Sequence, residues 1–148
     1  MRKIKSIEEI LRDVEKAFAP RPVFFLMSRE SIDHSMVERV YLSTLEFRTR
    51  FPEPVDELVV VLDSSGGDIH SAYIIIKLLR KCCSKLTVVI PLWAKSAATL
   101  ICLAADEIAM TEVAEMGPLD PQVREPGAAY SRAVLDEYMA LSALRQDT

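Results

Sequence analysis

Two stretches decide the fold: Leu62-Asp63-Ser64-Ser65-Gly66-Gly67-Asp68-Ile69-His70 and Ile90-Pro91-Leu92-Trp93-Ala94-Lys95-Ser96-Ala97-Ala98-Thr99-Leu100. Each follows a β-branched apolar run and opens an apolar helical pattern, so together they describe one βαβ unit. A strand that ends in two glycines at a helix start leaves backbone N–H groups without partners, where the helix dipole favours an anion. If the strands are parallel neighbours, their carboxyl ends lie side by side, where open α/β sheets place ligands. Ser96 at the start of the next helix then faces the glycine loop, which reads as a nucleophile beside an oxyanion hole.

Working outward, Glu57–Leu62, Leu86–Ile90 and Glu107–Met110 are expected strands, separated by helices over Asp68–Lys81 and Lys95–Ala105. Continuous apolar strands between helices signify a mostly parallel sheet covered on both faces, so the fold class is α/β. Upstream, Ile4, Ile7, Leu11, Val14 and Phe18 fall at helical spacing, so residues 3–18 read as an amphipathic helix. Its balanced charge points to docking on the protein rather than on a membrane surface. Val23–Met27 is a short expected strand. A second amphipathic helix starts at Ser31-Ile32-Asp33-His34 and runs to about Arg50, with Met36, Val37, Val40, Tyr41, Leu45 and Phe47 on its apolar side. Phe51-Pro52-Glu53-Pro54 breaks it. Thr111–Gln122 reads as a proline-stiffened loop, and Ala128–Arg145 as a last helix.

The 148 residues, half of them apolar, fit a single domain over residues 1–148 with a sizeable core. A net charge of −4 with both signs interspersed gives no basic field for nucleic acid. Cys82, Cys83 and Cys102 have no metal-ligand spacing and suit reduced thiols in the cytoplasm. Neither a metal nor a cofactor is expected. The charged N-terminus lacks a signal-peptide apolar region, and the most apolar run, Ala97–Ala105, is far below the roughly 18 residues of a spanning helix.

Taken singly, the candidate residues have plain structural readings. Gly66 and Gly67 suit a tight turn, Ser96 an N-cap, Asp120 a turn before Pro121, Asp68 a helix N-terminal charge, and Trp93 core packing. Their combination is more specific. Residues about 57–123 resemble the Clp/crotonase-fold serine peptidases, and most closely the serine dehydrogenase proteinase-like group related to signal peptide peptidase A. Ser64-Ser65-Gly66-Gly67-Asp68 matches the family's Gly-Gly oxyanion loop, and Ala94-Lys95-Ser96-Ala97-Ala98-Thr99-Leu100 its nucleophile segment, with Ala98 where the family commonly has glycine. Ala105–Met110 and Met116–Gln122 follow in the family's order.

The resemblance implies hydrolysis of peptide or protein substrates through an acyl-enzyme on Ser96, with the Gly67 and Ala97 N–H groups holding the oxyanion, in a homo-oligomer. A serine hydroxyl also needs a base. Asp120 follows Ser96 at a distance resembling that of the Clp histidine, and His70 lies in the first turn after Gly67 with solvent or a neighbouring subunit as its other destinations. Relatives of the signal peptide peptidase type use a lysine, but none follows Lys95, whose side chain is expected on another face. His34 lies on an exposed-looking helix side. Three explanations stay open: a base from chain beyond Thr148, since the resembling proteins generally continue, a base from another subunit, or an inactive assembly or regulatory subunit. An acyl-thioester enzyme on the same fold ranks last, because that chemistry does not need Ser96.

Overall fold

The computed structural model describes residues 5–28 and 30–119, with two short strands at 122–123 and 132–133. The sheet is built around β2 (Val55–Ser64), which pairs in parallel with β1 (Val23–Ser28) on one side and β3 (Cys83–Ile90) on the other. β5 (Glu107–Met110) extends the sheet from β3, also in parallel. Leu58, Val59, Val60 and Leu62 are fully buried, as are Leu86, Val88 and Ile90. Leu86, Val88 and Ile90 share one face of β3, and on the other Thr87 is buried and Val89 half-buried, whereas β2 buries Val59 and Val61 on its second face as well.

Helix α2 (His34–Arg50) begins where Asp33 accepts the Met36 N–H at 3.0 Å, and α3 (Ile69–Arg80) where Asp68 accepts that of Ser71 at 2.6 Å. These side chains satisfy N–H groups that a helix leaves unpaired in its first turn. Ala72, Ile75 and Leu79 of α3 pack into one core with Met36, Val37 and Val40 of α2. The expected apolar side of α2 is too wide at its far end, since Tyr41 and Leu45 are exposed, and Phe47 packs only against the rim of the core. Helix α1 (Ile7–Phe18) has a capping box between Ser6 and Glu9, which explains its late start, but no buried residue. Its apolar stripe is partly covered: Leu11, Val14 and Phe18 are half-buried, Ile7 is exposed, and none of them enters the core.

β6 (Glu115–Met116) is a strand inside the expected 111–122 loop, and β4 (Trp93–Ala94) lies in the connection to which the sequence reading assigns no element. The two form a narrow continuation of the sheet, β4 pairing with Ser64 at the end of β2 and with β6 on its other side. Gln122–Val123 (β7) and Arg132–Ala133 (β8) pair antiparallel. A continuous helix through Arg132 and Ala133 is excluded by this pairing, and the remainder of the expected 128–145 helix lies outside the described residues.

The three cysteines are free and buried, and burial pushes the Cys102 thiol up to about 11. Because the thiolate is the reacting form, a thiol reagent near neutral pH is expected to leave the native protein almost unmodified and to titrate three thiols after denaturation. Rapid native modification would contradict this packing.

Asp106 ties the start of β5 to its neighbours. Its carboxylate accepts the Leu86 N–H at 2.7 Å and pairs with Arg80, and these contacts, the Leu86 bond first, hold it below the ordinary aspartate value of 3.8. A lowered folded-state value means that this stabilisation is complete above 3.8 and disappears as the pH falls through the lowered value. Asp106→Asn is expected to flatten the acid limb of a stability profile below that pH. An unchanged acid limb would exclude Asp106 as a contributor.

Candidate active site

The site forms because β2 delivers its polar end to the start of the next helix. Ser64 is buried, its Oγ accepts the Gly66 N–H at 3.1 Å, and its carbonyl accepts the Lys95 N–H at 3.1 Å. The second bond, with the pairing of Ser64 to Ala94, draws segment 93–97 onto the glycine loop.

Gly66 is the contact point. A Cβ there would lie 2.5 Å from the Lys95 carbonyl oxygen, 2.7 Å from the Ser96 Cβ and 3.1 Å from the Ala97 nitrogen. With φ at +96°, Gly66 also occupies a conformation that other residues avoid. Both arguments require glycine. Gly67 makes the corresponding close approach on the opposite side, where a Cβ would meet the Ile32 carbonyl oxygen at 2.3 Å.

Ser96 itself has φ 49° and ψ −121°, the only positive φ among the described non-glycine residues. Such geometry costs on the order of 1–3 kcal/mol and persists only where the surroundings impose it. Here they do: the Ser96 N–H donates to the Pro118 carbonyl at 3.1 Å, and its own carbonyl accepts the Thr99 N–H at 2.9 Å. The turn leads directly into α4 (Ala97–Leu103), whose Ala97 and Ala98 are fully buried. The plain N-cap reading fails, since the Ser96 side chain makes no capping hydrogen bond. Among the described residues nothing is hydrogen-bonded to its hydroxyl, which sits on a partly exposed, strained turn.

Thr99 secures the next segment from below. Its Oγ1 donates to the Ala94 carbonyl at 2.8 Å and accepts the Gly117 N–H at 3.1 Å. The Gly117 N–H is also directed at the Ala94 carbonyl, 2.9 Å away. This threonine, fixed only by tertiary contacts, holds residues 117–118 against Ser96. Its hydroxyl-bearing position in an apolar helix was the one available signal.

Two backbone donors remain at the junction. Among the described residues neither the Gly67 nor the Ala97 N–H makes a hydrogen bond. Gly67 shares a parallel bridge with Ile32, in which the Ile32 N–H donates to the Gly66 carbonyl and the Ile32 carbonyl accepts the Asp68 N–H. In that pattern the N–H of the intervening Gly67 points away from Ile32.

The other sequence candidates are placed differently. His70 is exposed in the first turn of α3, and no hydrogen bond joins it to Ser96. His34 is exposed and faces Glu38 at 3.6 Å. The Lys95 ammonium pairs with Glu115 and holds that carboxyl below its usual range, so it is engaged away from Ser96. Asp63 accepts the Trp93 N–H at 3.0 Å, while the Trp93 ring is about half exposed rather than packed in the core. Asp120 lies outside the described residues. No group of three His, Cys, Asp or Glu side chains among the described residues could hold a metal ion.

The ClpP-like SDH-type serine proteinase profile matches residues 1–140. The chain belongs to that family. This SDH-type chain is 30% identical over 137 residues to the uncharacterized protein MJ1495 of Methanocaldococcus jannaschii, a match covering 86% of the chain and 45% of that protein. It is 37% identical over 83 residues to MJ0137 of the same organism, covering 55% of the chain and 28% of that protein. The chain thus spans less than half the length of these relatives. Among solved structures, the ClpP protease catalytic domain from Plasmodium falciparum superposes with a TM-score of 0.50 at 14% identity, over 72% of this chain and 53% of that one. At that identity the likeness shows a shared ClpP-type fold. No helix among the described residues of this SDH-type chain is long and apolar enough to cross a membrane.

Proposed function

We propose that this SDH-type chain carries the nucleophile and oxyanion hole of a serine peptidase. The observation that supports it most is the close approach of Gly66 to Ser96, with the Ser96 hydroxyl and the Gly67 and Ala97 N–H groups left without hydrogen-bond partners among the described residues. In this reading the Ser96 Oγ attacks the carbonyl carbon of a peptide bond and gives its proton to a base. The resulting oxyanion accepts hydrogen bonds from Gly67 and Ala97, each donor being worth on the order of a hundredfold in rate. Collapse expels the amine, which takes the proton, and water then hydrolyses the acyl-enzyme. Homo-oligomeric assembly and a cytoplasmic location belong to the same proposal.

The base comes from Asp120 or His70, from chain beyond Thr148, or from another subunit. Pro118 is hydrogen-bonded to Ser96, and two further residues of chain span at most about 7 Å, so Asp120 is within chain reach of the hydroxyl. An aspartate serves only if its value is raised toward neutrality. His70, one turn from Gly67, is the second candidate. The alternative is an inactive assembly or regulatory subunit, favoured by the absence of any hydrogen-bonded base on Ser96 among the described residues.

A fluorophosphonate probe separates the readings. Labelling that maps to Ser96, together with casein cleavage lost on Ser96→Ala, is the expected result. Labelling that survives Ser96→Ala would sink the assignment, and a wild-type chain that is neither labelled nor active would favour the inactive subunit.

A further inference from the structure

The glycine loop is built from the two residue positions with the greatest backbone freedom, yet an oxyanion donor must be held in one orientation before the reaction begins. Something outside the loop has to fix it, and three bonds do so. Ser64 takes the Gly66 N–H from within the loop. The other two come from Ile32, more than thirty positions earlier in the chain. The Ile32 N–H donates to the Gly66 carbonyl at 2.8 Å, and the Ile32 carbonyl accepts the Asp68 N–H at 2.7 Å. These bonds fix the peptide planes on both sides of Gly67. Of the Gly66, Gly67 and Asp68 N–H groups, only that of Gly67 is left without a partner among the described residues.

Ile32 is itself held firmly. Its side chain is fully buried in the main core. The next residue, Asp33, caps α2 through the Met36 N–H, so the clamp is continuous with a 17-residue helix. Contact from the Ile32 side is close enough that a Cβ on Gly67 would lie 2.3 Å from the Ile32 carbonyl oxygen and 2.5 Å from its nitrogen. The fit leaves the loop no room to retreat toward α2.

We infer that Ile32 is a positioning residue for the site: its backbone clamps Gly66 and Asp68 so that the Gly67 N–H is presented to the oxyanion. This rests on the peptidase reading of Ser96. It requires no chemistry from the Ile32 side chain beyond burial, so the test must remove the backbone donor and keep the side chain.

Replacing residue 32 by the α-hydroxy acid analogue of isoleucine turns its N–H into an ester oxygen. The full chain carrying this ester is expected to react with a fluorophosphonate at Ser96 about 10- to 100-fold more slowly, as follows when a reacting group is displaced by about 1 Å. Peptide hydrolysis should lose kcat with little change in KM, because substrate contacts are untouched. Ile32→Val, which keeps the N–H and the apolar contact, should retain the wild-type labelling rate. Wild-type labelling by the ester chain, or equal slowing in Ile32→Val, would overturn the clamp. If the wild-type chain is never labelled, the peptidase reading has failed instead.

Amide hydrogen exchange on the wild-type chain covers the case in which the ester chain does not fold. Ile32 and Asp68 N–H groups should be protected before and after phosphonylation, while the Gly67 N–H becomes protected only afterwards. Rapid exchange at Ile32 before labelling would also overturn the inference.

Discussion

Ser96→Gly is expected to abolish fluorophosphonate labelling and peptide hydrolysis while making the protein more stable. Loss of a serine nucleophile lowers turnover by about ten-thousand-fold or more, leaving the part due to binding and the oxyanion donors. The gain in stability follows from the backbone. Ser96 is held at φ 49° and ψ −121°, a region glycine enters without a Cβ penalty. Relief of that strain is worth about 1–2 kcal/mol, which for a chain of this size corresponds to roughly 2–8 °C in Tm. Ser96→Ala separates the two effects. It retains the strained φ and removes no capping bond, so its stability should stay within about 0.5 kcal/mol of wild type while its activity is lost. Thermal unfolding of the three proteins, with labelling measured on the same samples, checks both halves. A Ser96→Gly chain less stable than Ser96→Ala would mean that the turn carries no strain.

Gly66→Ala should damage both fold and function. The added methyl would sit 2.5 Å from the Lys95 carbonyl oxygen and 2.7 Å from the Ser96 Cβ, in a backbone conformation at φ +96° that alanine avoids. Neither neighbour is the end of a flexible side chain. Lys95 is tied through its N–H to Ser64, and Ser96 through its N–H to Pro118, so the strain is expected to push the loop and the nucleophile turn apart. Overpacking and the positive φ together cost about 2–4 kcal/mol, and displacement of the donors should slow labelling by at least about a hundredfold. Denaturant unfolding monitored beside the labelling rate measures the two losses. Wild-type values for both would show that the loop and Ser96 do not touch as described.

The central sheet is legible in the sequence because Leu58–Leu62 is apolar throughout and Leu86–Ile90 is broken only by Thr87, a pattern that suits strands buried along their length. Gly66, Gly67, Ser96 and Ala97 are legible for a related reason: each lies where a strand gives way to a helix. What joins them is much less visible. β4 is two residues long and has no period, yet its pairing with Ser64 sets the serine against the glycines. The bonds from Ile32 and Pro118 run through backbone atoms, which every residue type possesses, so no side-chain pattern marks them. The period of α1 and α2 shows which positions are apolar but not what covers them. Hence Tyr41 and Leu45 face outward beside the line of Val37, Val40 and Thr44, which is the part of α2 that is buried.

The most direct test of the central claim is a crystal structure of the chain after reaction with a fluorophosphonate. Phosphorus is expected on the Ser96 Oγ, with the phosphonyl oxygen about 2.7–3.1 Å from the nitrogen atoms of both Gly67 and Ala97. An adduct on another side chain, or a phosphonyl oxygen on Ser96 turned to solvent and bonded to neither nitrogen, would contradict it.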